Sequence, residues 1–132
     1  MKAVYATGTN YDDPLSMLEV GDMPKPETKP FWSTIRVKSA SVNHHDVWSL
    51  QGVGLADEQT PMILGTDAAG VLQEDIPVRK GLKAGSEVVL YTFIGTDGAG
   101  VMPGERRSIL SERYAGTMAE YTQVPSANVF AK

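Results

Sequence analysis

The feature that most constrains this chain is the clean alternation of apolar and polar residues over Thr34-Ile35-Arg36-Val37-Lys38-Ser39-Ala40-Ser41-Val42. Side chains that change face at every residue describe a half-buried β-strand. The other strand candidates are shorter: residues 1–6, 17–20, 69–73, 87–93 and 119–124, with 129–131 as an edge piece. Turn residues punctuate them. Thr7-Gly8-Thr9-Asn10 closes the first, and a stretch with three prolines, residues 23–30, follows the second. Prolines lack the N–H that a central strand must donate, so that stretch reads as an exposed connection. Helix signals are poor. His44 to Leu50 predicts about two turns stopped by Gly52, and Ser108 to Arg113 at most one turn. Frequent strands with one or two short helices predict a mainly β barrel or sandwich.

At 132 residues the chain is long enough to bury one core without staples, and it is read as one domain over residues 1–132. A net charge of −4 gives no attraction for nucleic acid or an anionic membrane, and neither partner is expected. Cysteine is absent, which excludes disulfides, a thiolate nucleophile and every cysteine-ligated zinc site. No apolar run approaches the ~18 residues of a membrane span. The N-terminal Met1-Lys2-Ala3-Val4-Tyr5 lacks a signal-peptide core. A soluble, cytoplasmic protein is the expectation.

Two polar clusters sit at the ends of apolar runs, each backed by small residues: Ala40-Ser41-Val42-Asn43-His44-His45-Asp46-Val47-Trp48 and Leu64-Gly65-Thr66-Asp67-Ala68-Ala69-Gly70. Such clusters belong on the rim of a β framework, within reach of a substrate. In this order they resemble the GroES-like N-terminal catalytic domain of the medium-chain dehydrogenase/reductase superfamily. Two later segments fit the same order. Lys83-Ala84-Gly85-Ser86-Glu87-Val88-Val89 is similar to the family's Gly-Asp-x-Val strand entry. Gly116-Thr117-Met118-Ala119-Glu120-Tyr121 is similar to its Gly-x-x-Ala-Glu-Tyr segment. The resemblance covers essentially the whole chain and implies a GroES-like, partly open β-barrel.

The departures from the family pattern narrow the chemistry. Zinc-dependent members place a cysteine at the Asn43 position, a histidine at the Thr66 position and an acid at the Asp67 position; only the acid is kept. Catalytic zinc requires about three good protein ligands, and an amide, a hydroxyl and one carboxylate hold it poorly. The lobe that carries the family's structural zinc, here Gly95 to Arg107, has no cysteine either. The chain therefore resembles the zinc-independent branch, of the quinone-reductase or enoyl-reductase kind, in which asparagine commonly stands at the Asn43 position. No zinc is expected.

The resemblance implies continuation into a Rossmann domain that carries NADP or NAD, with the active site in the cleft between the two. That domain is absent from this chain, so residues 1–132 alone are expected to be inactive. Asn43 and His45 are the expected catalytic residues, orienting a carbonyl and donating hydrogen bonds as charge develops on oxygen. Asn43 and His44 are expected on the cofactor side. Asp46, Trp48, Thr66 and Asp67 are expected to line or support the substrate cleft.

Plainer readings accompany these roles. Adjacent histidines diverge in direction and rarely chelate one ion; one of the pair would pack under the sheet and the other border the cleft. Asp46 suits an N-cap or a partner to a basic group, and Asp67 a carboxylate that hydrogen-bonds a loop. Trp32, Trp48 and Tyr121 suit core or cleft-wall positions. Gly95-Thr96-Asp97-Gly98-Ala99-Gly100 has the wrong spacing for a dinucleotide fingerprint, and the lobe reads as a mobile loop. No Ser–His–Asp pattern rises above background.

The function implied is the substrate-side half of an NAD(P)-dependent oxidoreductase acting on a quinone, enone or other carbonyl compound. Its partners would be that small molecule and the C-terminal Rossmann domain, with homo-oligomerisation left open. The alternative is a binding module that kept the barrel and lost catalysis.

Overall fold

The computed structural model describes residues 1–95 and 107–132. Its fold is mainly β, a curled half-barrel with a single α-helix among the described residues, matching a GroES-like partly open barrel. The strands are β1 (Lys2–Ala6), β2 (Leu18–Asp22), β3 (Trp32–Ala40), β4 (Met62–Ile63), β5 (Ala68–Leu72), β6 (Glu87–Leu90), β7 (Phe93–Ile94), β8 (Ser108–Ile109), β9 (Tyr121–Pro125) and β10 (Val129–Ala131). The helix, α1 (His44–Gln51), lies between β3 and β4. The main sheet has the order β10-β6-β5-β3-β9, a smaller one β2-β1-β4, and β7 pairs with β8.

The alternating run supplies β3, at nine residues the longest strand, flanked on both sides by antiparallel β5 and β9. It begins two residues before the expected start because Trp32 and Ser33 pair with Pro125 and Val124. It ends at Ala40 because the Ser41 N–H leaves the ladder and donates to the Asp67 carboxylate. The expected strand at 87–93 is divided. Buried Asn128 donates its side-chain amide to the carbonyls of Tyr91 and Phe93, and Tyr91 N–H donates to the Asn128 carbonyl, so this link interrupts the ladder. Residues 108–113 do not form the expected helical turn. Ile109 and Ser108 pair with Phe93 and Ile94, a non-local partnership that overrides the local signal.

Ile35, Leu72, Val88, Val124 and Val129 point from the main sheet into the larger core, with Trp32, Ile94 and Leu110. Period-two burial along β5 (Ala68, Gly70 and Leu72 inward) explains its place in mid-sheet. A smaller apolar cluster, Ala6, Leu50, Leu55, Met62 and Leu64, packs α1 against β1 and β4. The proline stretch forms no strand, as expected, and links β2 to β3.

Candidate functional site

The site is built where β3 gives way to α1 and where β4 turns into β5. Asn43 is extended (φ −120°, ψ 159°) and caps α1. Asp46, expected as the cap, stands instead three residues into the helix. Its Oδ2 accepts the Asn43 N–H at 2.8 Å, the return half of a capping box. Its Oδ1 accepts the Gly65 N–H at 2.9 Å. No basic group pairs with it in these bonds. One buried carboxylate thus fastens the helix start to the β4–β5 turn. Gly65 adopts φ +95°, and a side chain there would collide with Thr117 and Met118. At the other end Gly52 (φ +89°) closes the helix, its N–H returning to Ser49.

This fastening brings the two polar clusters together. The Asn43 side-chain Nδ2 lies 3.0 Å from Asp67 Oδ2, 3.3 Å from Thr66 Oγ1 and 3.5 Å from Ser41 Oγ. Asp67 Oδ1 accepts both the Ser41 N–H (3.0 Å) and the Ser41 hydroxyl (2.6 Å). A carboxylate only accepts, so the amide NH₂ must face it. Partial burial pushes the Asp67 carboxyl upward, but the hydrogen bonds from Ser41 and Asn43 outweigh it and hold the group below the ordinary carboxylate range. An open cleft of about 370 Å³ adjoins the cluster, lined by Ser41, Asp67, Ala68 and Ala69 on one side and Val89 and Leu90 on the other.

The remaining sequence-derived residues lie apart from this cluster. His44 is exposed and packs edge-on to Trp48 with ring centroids 4.9 Å apart. Trp48 is 47% exposed, so it is not a core residue. Neither histidine packs under the sheet: His45 is half-buried and bonds Glu112, a residue on which the sequence carried no local signal. The lobe from Gly95 to Arg107 falls, but for its two end residues, outside the described residues, and so does any phosphate-cradle or mobile-loop reading of it.

The positions where the resemblance implies zinc ligands do converge, but their side chains do not fit that ion. Asn43 turns its N–H groups, which carry no lone pair, toward Thr66 and Asp67. Among the described residues no three His, Cys, Asp or Glu side chains could share a metal. Every strand pair of the sheets is antiparallel, so no βαβ unit is present among the described residues to seat a dinucleotide.

Residues 29–132 match the alcohol dehydrogenase GroES-like domain. The chain belongs to that family. It is 32% identical over 109 residues to dehydrogenase orsE of Emericella nidulans, a match covering 76% of this chain and 31% of that protein. It superposes with a TM-score of 0.80 on the crystal structure of an NAD-dependent alcohol dehydrogenase, at 36% identity over all of this chain and 39% of that one. A cobalt- and zinc-bound thermostable alcohol dehydrogenase from Pyrobaculum aerophilum gives 0.78 at 28% identity, covering 100% of this chain and 41% of that one. The homologues are dehydrogenases of the medium-chain superfamily, and the chain spans well under half their length. No described helix is long and apolar enough to cross a membrane.

Proposed function

We propose that residues 1–132 are the substrate-side catalytic domain of an NAD(P)-dependent oxidoreductase that acts on a quinone, enone or other carbonyl compound without catalytic zinc. The observation that carries this reading is the Asn43–Thr66–Asp67 cluster. Its side chains hydrogen-bond one another at the positions where the resemblance implies zinc ligands, beside an open cleft. A substrate carbonyl polarised by zinc in those relatives would here meet an amide.

One Asn43 N–H is engaged by Asp67, while the other has only the long contacts to Thr66 and Ser41. That second N–H is the one assigned to the substrate oxygen, where it steadies charge as the carbonyl is reduced. Asp67 keeps the amide turned, and Asp46 holds the backbone that carries it. His45 is assigned to proton delivery from the neighbouring flank of α1, and exposed His44 to the cofactor side. A nicotinamide, carried on a separate Rossmann domain, supplies hydride when bound; this chain's residues orient and protonate. The protein would work in the cytoplasm.

The test joins this domain to its C-terminal continuation or to a relative's Rossmann domain. Asn43→Ala should lower kcat by about 10²–10³ with little change in cofactor affinity, the loss seen for one oxyanion donor. Unchanged turnover would remove Asn43 from the mechanism. Elemental analysis should find no stoichiometric zinc, and one tightly held zinc per chain would contradict the metal-free reading.

A further inference from the structure

A second polar constellation lies beside the cluster, on another face of α1. His45 Nε2 is 2.9 Å from Glu112 Oε1, with the two side chains only 19% and 27% exposed. The other ring nitrogen, Nδ1, lies 3.5 Å from the hydroxyls of both Ser49 and Ser111, which are fully buried.

Three independent features put Glu112 there. Ser111 takes φ +68°, a left-handed conformation uncommon for a residue with a side chain, at the corner where Leu110 bridges to Tyr114. Gln59 Nε2 donates to the Glu112 carbonyl at 2.9 Å. Gly54 (φ +79°) leaves room for the carboxylate; a Cβ at that position would collide with Oε1. Backbone strain, a hydrogen bond and an emptied space all serve one contact.

We propose that Glu112 is the positioning residue for His45, fixing the imidazole proton on Nε2 and leaving Nδ1 as the ring's acceptor. A carboxylate has no proton to give, so the hydrogen between the two groups belongs to the ring. A neutral imidazole carries one N–H, and Nδ1 then presents its lone pair. The contacts of 3.5 Å to Ser49 and Ser111 are long for hydrogen bonds and occupy that lone pair weakly. Glu112 thereby decides which nitrogen can accept and return a proton. Its effect on turnover rests on the proposed role of His45, whereas the tautomer does not.

Long-range proton–nitrogen spectra of the ¹⁵N-labelled 132-residue chain read the tautomer directly. The proton should sit on Nε2, with an exchange-protected N–H resonance that Glu112→Ala abolishes. A proton on Nδ1 in the unsubstituted chain would overturn the proposal. In the protein joined to its Rossmann domain, Glu112→Ala should lower kcat roughly 10–100-fold with KM unchanged, the effect of removing a partner that orients a functional histidine. Glu112→Gln, which keeps an acceptor oxygen, should recover most of that loss and guards against a folding defect. The double variant with His45→Ala should be no slower than His45→Ala alone, and multiplying losses would refute the positioning role. Absence of turnover in the unsubstituted fusion would instead sink the proposed function, leaving the spectra to decide Glu112.

Discussion

The two flanks of this domain are held together by different physics. The main-sheet flank is an apolar core in which Ile35, Leu72, Val88, Val124 and Val129 are inaccessible to water. The α1–β4 flank has a smaller apolar cluster, and Asp46, Ser49, Thr66 and Thr117 are buried beside it. Dispersion and area hold the first. Addressed hydrogen bonds hold the second: Asp46 to Asn43 and Gly65, Thr117 Oγ1 to the Asp67 carbonyl, Asn43 to Asp67. Apolar contact is non-directional and tolerates small movements. A network of short polar bonds fixes side-chain directions, which a site requires. The candidate chemistry sits on the flank whose geometry is specified bond by bond.

The largest expected effect breaks the apolar flank. Leu72→Ala should destabilise by about 2–5 kcal/mol, because its site lies in mid-sheet between β3 and β6 and cannot collapse easily. Urea unfolding should show a lower midpoint, with the Asn43–Asp67 geometry intact in the folded fraction. A loss below ~1 kcal/mol would mean that this core is looser than its burial implies. Gly116→Ala strikes the other flank. A Cβ there would enter the space of the Ile63, Leu64 and Gly65 carbonyls, all backbone atoms that cannot swing aside. The cost should be about 3 kcal/mol by overpacking. If Gly116→Ala unfolds at the parent's urea midpoint, the close approach of these segments is not a constraint.

The apolar flank was the legible one. Period-two alternation located β3 to within two residues, and the shorter apolar runs located β5 and β9 as closely, because inward side chains on a half-buried sheet must repeat every second position. What local pattern could not show was pairing across the chain. The β7–β8 ladder joins residues about fifteen apart, and its two-residue strands carry no periodicity. The same limit governed the site. Asn43, Thr66 and Asp67 were legible through their resemblance to a metal triad, and the structure brings them together. Glu112 was not, because its contact with His45 spans 67 residues and depends on the left-handed Ser111 and the space at Gly54. Asp46 was legible as a helix-start residue but not as the bridge to Gly65, since local sequence does not reveal which turn packs alongside.

Asp46→Ala removes the acceptor of two backbone donors and leaves the half-buried Asn43 N–H and the buried Gly65 N–H unpaired. The expected cost is about 2–3 kcal/mol, the scale of losing charge-assisted bonds. Asp46→Asn keeps one acceptor oxygen and should cost less. Amide hydrogen exchange should speed up first in α1 and the β4–β5 turn, leaving β3 and β5 protected. Uniform acceleration across both flanks would show that they unfold as one unit.

The smallest effect isolates Asp67. At neutral pH Asp67→Asn should cost below about 1 kcal/mol, since the carboxylate lies at the cleft and water can replace part of its bonding. The acid dependence is more telling. Hydrogen bonds from Ser41 and Asn43 hold the folded carboxyl below its ordinary range. The unfolded chain therefore takes up the proton first as pH falls, and stability must decline with it. The contribution is fully present above about pH 4, the ordinary aspartate value, and fades as pH drops through the lower folded value. Urea midpoints measured from neutral pH into this acid range should fall more steeply for the parent chain than for Asp67→Asn, and the two should converge at the acid end. Parallel curves would show that the Ser41–Asn43–Asp67 bonds do not favour the charged form.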